Sequence, residues 1–326
     1  MISYDIALSD FKEARQRIRP YVRHTPLAPE PALVDEIHPR LRLKLENLQV
    51  AGSFKPRGVF NTLLQLSEGQ KKQGVITSSG GNHGLAVAYA ATRLGIPAIV
   101  YLPETASPDR VARARQWSAQ IIQYGDVWDV SHAKAMETAS EQNLHYIHPF
   151  DAPATIAGQG TLGLELLDDL PDVDCILIAI GGGGLIAGMS AAIKQVKPHV
   201  QIIGVEPEGA ATMKTAVTQG KVVQLPFVKT IADTLAPRSV SERTLALTQK
   251  YVDDILLVSC TEMIEGMQWL WKSYNQLVEP SGAAVIAALR SGRCSVAKYR
   301  NPAAIICGGN AAADPIWSMY SEAAAK

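Results

Sequence analysis

The stretch CILIAIGGGGLIAGMSAAIKQV, residues 175–196, decides the fold class. Its first six residues are all apolar and partly β-branched, as suits a short strand covered on both faces. Its second half carries apolar residues at helical spacing, so a helix is expected over 185–195. Between the two stand Gly181, Gly182, Gly183 and Gly184. Strand, glycine turn and helix in that order make up half of a parallel βαβ unit. One glycine would serve a turn that needs positive φ. Four in a row leave backbone N–H groups bare at the positive end of a helix, a setting that suits a phosphate.

Outward from this stretch the same alternation recurs. Apolar runs at 98–102 (AIVYL), 121–124 (IIQY), 202–205 (IIGV), 255–258 (ILLV) and 303–307 (AAIIC) read as buried strands. Helical patterns over 84–94, 108–118, 130–142 and 160–170 lie between them. The expectation is an α/β fold with mostly parallel sheets. A chain of 326 residues is about twice the usual domain size, so two domains are expected. No repeat or composition shift marks their boundary. The last residues, SEAAAK, are expected to fray.

Composition removes several function classes. Lys plus Arg total 31 and Asp plus Glu total 31, so no net charge draws the chain to nucleic acid or an anionic membrane. The cysteines Cys175, Cys260, Cys294 and Cys307 form no CxxC pair, which argues against a zinc or redox motif and fits a reducing compartment. The N-terminal stretch is polar and amphipathic, without a signal-peptide apolar region, and no apolar run is long enough to span a bilayer. A cytoplasmic protein is expected.

Three more segments carry candidate chemistry. In Ser53-Phe54-Lys55-Pro56-Arg57-Gly58 a lysine sits between an aromatic residue and a proline. A lone lysine is ordinarily a solvated surface charge, but a rigid, partly apolar setting depresses an amine's pKa and makes it a nucleophile. Ser78-Ser79-Gly80-Gly81-Asn82-His83-Gly84 precedes an Ala-rich helix and reads as an anion cradle for a carboxylate, or as a polar turn with Asn82 as the helix cap. His83 alone reads as structural. Cys307-Gly308-Gly309-Asn310 follows a strand, where ligands of open α/β sheets bind, although a lone Cys there also reads as simple core. Gly182-x-Gly184-x-x-Ala187, with Glu206 ending the next strand, nominally fits a dinucleotide fingerprint, so a nicotinamide oxidoreductase is a rival on this segment.

Taken together, these motifs resemble the serine/threonine dehydratase family of fold-type II pyridoxal-phosphate enzymes, which also contains serine racemase. The resemblance runs from His24-Thr25-Pro26-Leu27 through Lys44-Leu45-Glu46-Asn47-Leu48-Gln49, the Lys55 motif, the Asn82 loop, Ala157-Gly158-Gln159-Gly160-Thr161, the tetraglycine, Glu206-Pro207 and Glu279-Pro280-Ser281-Gly282 to the Cys307 motif. So many motifs in one order outweigh the nicotinamide reading. The resemblance implies a tryptophan-synthase-β-like architecture, two three-layer α/β/α domains with the cofactor in the cleft between them. The larger domain would be 1–71 with 150–326, and 72–149 a small mobile insertion. It implies pyridoxal 5'-phosphate held as a Schiff base by Lys55, with Phe54 against its ring and Asn82 on its phenolic oxygen. Cys307 would stand at the ring nitrogen. Gly181, Gly182, Gly183, Gly184 and Leu185 would donate N–H groups to its phosphate. Ser79, Gly80, Gly81, Asn82 and His83 would hold the substrate carboxylate. The implied reaction is loss of the β-hydroxyl from threonine, serine or a related 3-hydroxy amino acid, giving a 2-oxo acid and ammonia. A homodimer is implied by the resemblance alone.

Departures from the family pattern sharpen the expectation. In the racemase branch a serine two residues before the Asn acts as acid/base; here that position is Gly80, so dehydration without efficient racemisation is expected. Phe150 matches dehydratases rather than the racemase branch. Some relatives bind a divalent cation, and Glu206 with the Ala210 carbonyl matches two of its ligand positions. The third is Thr212, a poorer ligand for a hard ion, so a divalent cation at Glu206 and Ala210 stays an open alternative. The chain ends shortly after the Cys307 motif, so isoleucine feedback is not expected. Trp269 and Trp271 cannot share one helix face; core packing is the expected role, with a pocket or subunit contact as the alternative for one of them. Remaining alternatives are a β-replacement enzyme of the cysteine-synthase type and a non-catalytic amino-acid-binding regulator, against which an intact Lys55 argues.

Overall fold

The computed structural model describes residues 4–28 and 37–311. The SEAAAK segment lies outside the described residues. The chain divides into two compact units. Within the described residues, the larger runs to Leu64 and resumes over 148–309; the smaller takes 65–147 with Asn310 and Ala311.

Among the described residues the strands are β1 (Arg42–Leu45), β2 (Val75–Ser78), β3 (Ala98–Leu102), β4 (Gln120–Gln123), β5 (His145–Tyr146), β6 (Cys175–Ala179), β7 (Gln201–Pro207), β8 (Asp254–Val258) and β9 (Pro302–Ile306). The larger unit's sheet has the order β1-β9-β6-β7-β8, the smaller unit's β4-β3-β2-β5. Every pairing is parallel. Parallel strands need covering on both faces, and β6 and β9 are buried along their whole length.

The strand order places a ligand site in each unit by topology. From β6 the chain adds β7 and β8 on one side, then β9 on the other. Right-handed crossovers then put the connecting helices on opposite faces of the sheet. The loops leaving the carboxyl ends of β6 and β9 therefore diverge and open a crevice at the switch point. These loops begin at Ile180 and Cys307 and carry the tetraglycine and the Cys-Gly-Gly segment. In the smaller unit the order reverses at β2, between β3 and β5, and the loop leaving β2 is Ser79–Gly81.

Glycines let three helices of the larger unit cross closely. In helix Pro153–Asp169, a Cβ at Gly158 would lie 2.6 Å from the Gly58 Cα in helix Lys55–Leu63, and one at Gly160 would lie 2.7 Å from the Gly188 carbonyl in helix Gly184–Val196. Beneath this crossing lies a buried charge network. Arg57, 1% exposed, donates to both oxygens of Glu46 at 2.8 and 2.7 Å and both oxygens of Glu165 at 3.0 Å. Lys44 adds contacts to Asp169 at 2.6 Å, Glu165 at 2.8 Å and the Thr25 carbonyl at 2.6 Å. Charges so far from water persist only when every one is matched.

Several elements differ from expectation. Helix Pro153–Asp169 begins seven residues before 160, because its glycines serve the crossing instead of breaking the helix. Helix Pro108–Ala114 stops before 118, where the chain turns toward β4 and the Ser118 N–H donates to Thr92 Oγ1. Trp269 is 4% exposed and Trp271 56% exposed, so only the first is core. Among the described residues no helix is long and apolar enough to cross a membrane.

Candidate active site

Lys55 is brought to Cys307 by backbone pairing. The Phe54 N–H donates to the Cys307 carbonyl at 3.1 Å, and the Gly309 N–H to the Gly52 carbonyl at 2.9 Å, around an antiparallel bridge between Ser53 and Gly308. Lys55 then opens helix Lys55–Leu63, with proline in its first turn. Its Nζ donates to the Pro149 carbonyl at 2.8 Å and lies 5.2 Å from the Phe54 ring centroid. Burial lowers its pKa to about 8, against the opposing fields of Cys307 and Glu279. Burial, and then Glu279, push the Cys307 thiol up to about 12, so it is neutral at physiological pH. Its Sγ faces the Ser281 carbonyl at 3.4 Å, while the Ser281 hydroxyl donates to Glu279.

The tetraglycine loop lies on the same crevice of the larger unit. Packing behind the loop demands glycine. A Cβ at Gly182 would lie 2.2 Å from the Phe150 ring and one at Gly183 2.6 Å from Met213 Cε; Gly183 also has φ +91° and caps helix Gly184–Val196. On the donor side, the N–H groups of Gly181, Gly182, Gly183, Gly184 and Leu185 reach no protein acceptor among the described residues. Five bare donors at a helix N-terminus fit a phosphate dianion.

In the smaller unit the loop after β2 is held by the Ser79 N–H donating to the Tyr101 carbonyl and by the Ser79 hydroxyl accepting from the Gly81 N–H at 3.3 Å. Gly84 approaches so closely that a Cβ there would meet the Ser79 carbonyl at 2.2 Å. Asn82 is not the helix cap. Gly81 holds that position, and the Asn82 side chain instead accepts from Asn310 Nδ2 at 2.6 Å. His83 is buried with Nε2 3.0 Å from the Ile147 carbonyl, in keeping with a structural role. A Cβ at Gly80 would meet nothing closer than 3.5 Å.

A half-buried amine of lowered pKa, a neutral thiol and a phosphate nest in one unit fit pyridoxal phosphate. The family pattern described as pyridoxal-phosphate dependent enzyme matches residues 18–308. The chain belongs to that family. It is 37% identical over 305 residues to an L-threonine ammonia-lyase of Thermotoga maritima, covering 94% of this chain and 76% of the relative. It is 36% identical to a catabolic L-threonine dehydratase of Escherichia coli, covering 95% of each. Among solved structures, maize serine racemase superposes with TM-score 0.92 at 34% identity over 98% of both chains. A threonine deaminase from tomato, Solanum lycopersicum, superposes with TM-score 0.87 at 32% identity, covering 99% of this chain and 90% of that one. The fold is accordingly that of fold-type II pyridoxal-phosphate enzymes, and the protein is an enzyme using that cofactor.

Family membership retires the nicotinamide rival, and so does Glu206. That residue is fully buried, and its oxygens accept from the Met213 and Lys214 N–H groups at 2.8 Å, capping helix Thr212–Gln219 instead of meeting a ribose. Burial raises its pKa to about 7 despite those donors. Among the other metal candidates, Ala210 is buried beside this cap and the Thr212 hydroxyl donates to the Pro237 carbonyl. His24, Glu165 and Asp169 also converge as a potential ligand set, but the Lys44 ammonium lies on both acids and supplies the cation. Sequence reading passed over the Pro149 carbonyl, Glu279 as a charge beside Lys55, and the partners of Asn82. The first is backbone and leaves no signal; Glu279 stood only inside a matching motif.

Proposed function

We propose that this enzyme removes the β-hydroxyl of a small 3-hydroxy amino acid, L-threonine, L-serine or a close analogue, giving a 2-oxo acid and ammonia. The observation that carries the reading is the Lys55 amine, half-buried, hydrogen-bonded to a carbonyl and ionising near 8, beside the neutral Cys307. Relatives named L-threonine ammonia-lyase and L-threonine dehydratase support the substrate class.

Bound pyridoxal phosphate supplies an electron sink that acidifies the substrate Cα–H. The chain's own groups do the rest. Lys55 would hold the cofactor through Nζ, and the same Nζ, when free, would accept the substrate Cα proton. The N–H groups of Gly181 to Leu185 hold the phosphate, Phe54 supports the ring, and Asn82 donates to its phenolic oxygen. Ser79, Gly80, Gly81, Asn82 and His83 receive the substrate carboxylate. The neutral Cys307 thiol would face the ring nitrogen, where it could not fix a full positive charge as a carboxylate would. Free cysteines, three of them buried, support work in the cytoplasm. A homodimer is proposed on the family resemblance alone.

The likeness to a serine racemase favours a second reading, racemisation. Gly80 opposes it, since no side chain stands there to move a proton. The test is ammonia release over a panel of hydroxy-amino acids, with D-serine formation, and O-acetylserine plus sulfide, as the competing assays. Threonine or serine should yield ammonia, and Lys55→Ala should lower the rate by about a thousandfold or more. Borohydride reduction and peptide mapping should place the pyridoxyl group on Lys55; an unmodified Lys55 overturns the proposal.

A further inference from the structure

The smaller unit holds a chain of three side chains, of which the resemblance gives a role to Asn82 alone. Arg113 Nη2 donates to Asn310 Oδ1, and Asn310 Nδ2 donates to Asn82 Oδ1 at 2.6 Å. Asn82 and Asn310 are buried. An amide can be turned end for end at almost no cost in shape, so its direction is ordinarily set only by its partners. Here one partner has no choice. A guanidinium is a donor at every nitrogen and accepts nothing. The Asn310 atom facing Arg113 must therefore be oxygen. That leaves the Asn310 NH2 toward Asn82, so the Asn82 atom facing it must also be oxygen. The Asn82 NH2 is then the end turned away from Asn310.

We infer that Arg113 and Asn310 are positioning residues that fix Asn82 with its NH2, never its carbonyl, presented to the bound cofactor. The inference rests on the proposed contact between Asn82 and the ring's phenolic oxygen. A donor there stabilises that oxygen in its ionised form; a carbonyl in the same place would repel it. The cation two amides away polarises both amides in the same sense. The sequence offered no sign of this. Arg113 lies inside an ordinary helix repeat, and Asn310 was only the last letter of a glycine motif.

The decisive variant is Asn310→Asp. Its carboxylate still accepts from Arg113 but cannot donate to Asn82, so Asn82 must turn its NH2 inward and its carbonyl toward the ring. Arg113→Leu removes the obligate donor from this chain of side chains, while Arg113→Lys keeps a pure donor. The readouts are cofactor dissociation on diluting the holoenzyme and the absorption spectrum of the bound cofactor. Asn310→Asp should weaken retention about tenfold or more and shift absorption from the long-wavelength band toward the shorter one. Arg113→Leu should move both readouts the same way by less, and Arg113→Lys should restore them. Wild-type retention and spectrum in Asn310→Asp would overturn the inference. Should that variant not fold, identical behaviour of Arg113→Leu and Arg113→Lys would overturn it instead. A wild-type chain without a pyridoxyl group on Lys55 sinks the proposed function itself, a different outcome from a loaded wild type whose variants do not differ.

Discussion

An amine that ionises near 8 instead of its ordinary 10.5 is a different reagent at physiological pH. About a quarter of Lys55 is unprotonated at pH 7.5, against about one in a thousand for a free lysine. Only the unprotonated amine attacks an aldehyde. Uptake of pyridoxal phosphate by the cofactor-free chain should therefore accelerate as pH rises and level off just above 8. Stopped-flow absorbance between pH 6 and 10 checks this, and a rate still climbing tenfold per pH unit at 9.5 would contradict it. At this scale the sequence was legible wherever a residue type is chemically odd for its setting. A lysine between phenylalanine and proline, four successive glycines and a cysteine closing a strand each announce themselves. Arg113 and Glu279 do not, because charged side chains are common and acquire their roles only from what folding sets beside them.

At the scale of elements, the strands around Gly181 were legible because a parallel strand must be apolar on both faces. Helix Pro153–Asp169 was read short for a related reason. Gly158, Gly160 and Gly163 weaken a helix as a local structure, and only its neighbours show why they are there. A methyl group at Gly158 would stand 2.5 Å from the Arg57 carbonyl and 2.6 Å from the Gly58 Cα, backbone that cannot give way like a flexible side chain. Gly158→Ala should therefore destabilise the larger unit by about 2–3 kcal/mol despite alanine's better helix propensity. A lowered thermal midpoint would show it. Gly95→Ala is the contrast: nothing lies within 4 Å of its added methyl, and only the cost of φ +66° remains. Equal midpoints for wild type and Gly158→Ala would mean that the helices slide apart without cost.

Across the larger unit, the Arg57 network ties together β1, the turn after it and two helices that lie far apart in sequence. Burial alone would raise the Glu165 pKa, yet Arg57 and Lys44 hold it down at about 2, well below its ordinary 4.5. A carboxylate with a depressed folded pKa contributes its full stability above the unfolded value and loses it as pH falls through the folded one. Glu165→Gln should thus destabilise the protein by about 3 kcal/mol at pH 7. The gap between wild type and variant should narrow steadily from pH 4.5 toward 2. Denaturant midpoints at pH 7 and pH 3 measure it, and a gap that does not narrow would place the effect outside this carboxylate.

Within the sheet of the larger unit, β1 has β9 as its neighbouring strand, and the segment bearing Lys55 is clasped by residues 307–309. During translation the first of these partners emerges well before the second. The nascent chain thus leaves the ribosome with its reactive amine still in water, where it ionises like any other lysine and has little use for an aldehyde. Vitamin B6 is taken up only once β9 is seated, which makes loading of the cofactor a report that both halves of the clasp have been made.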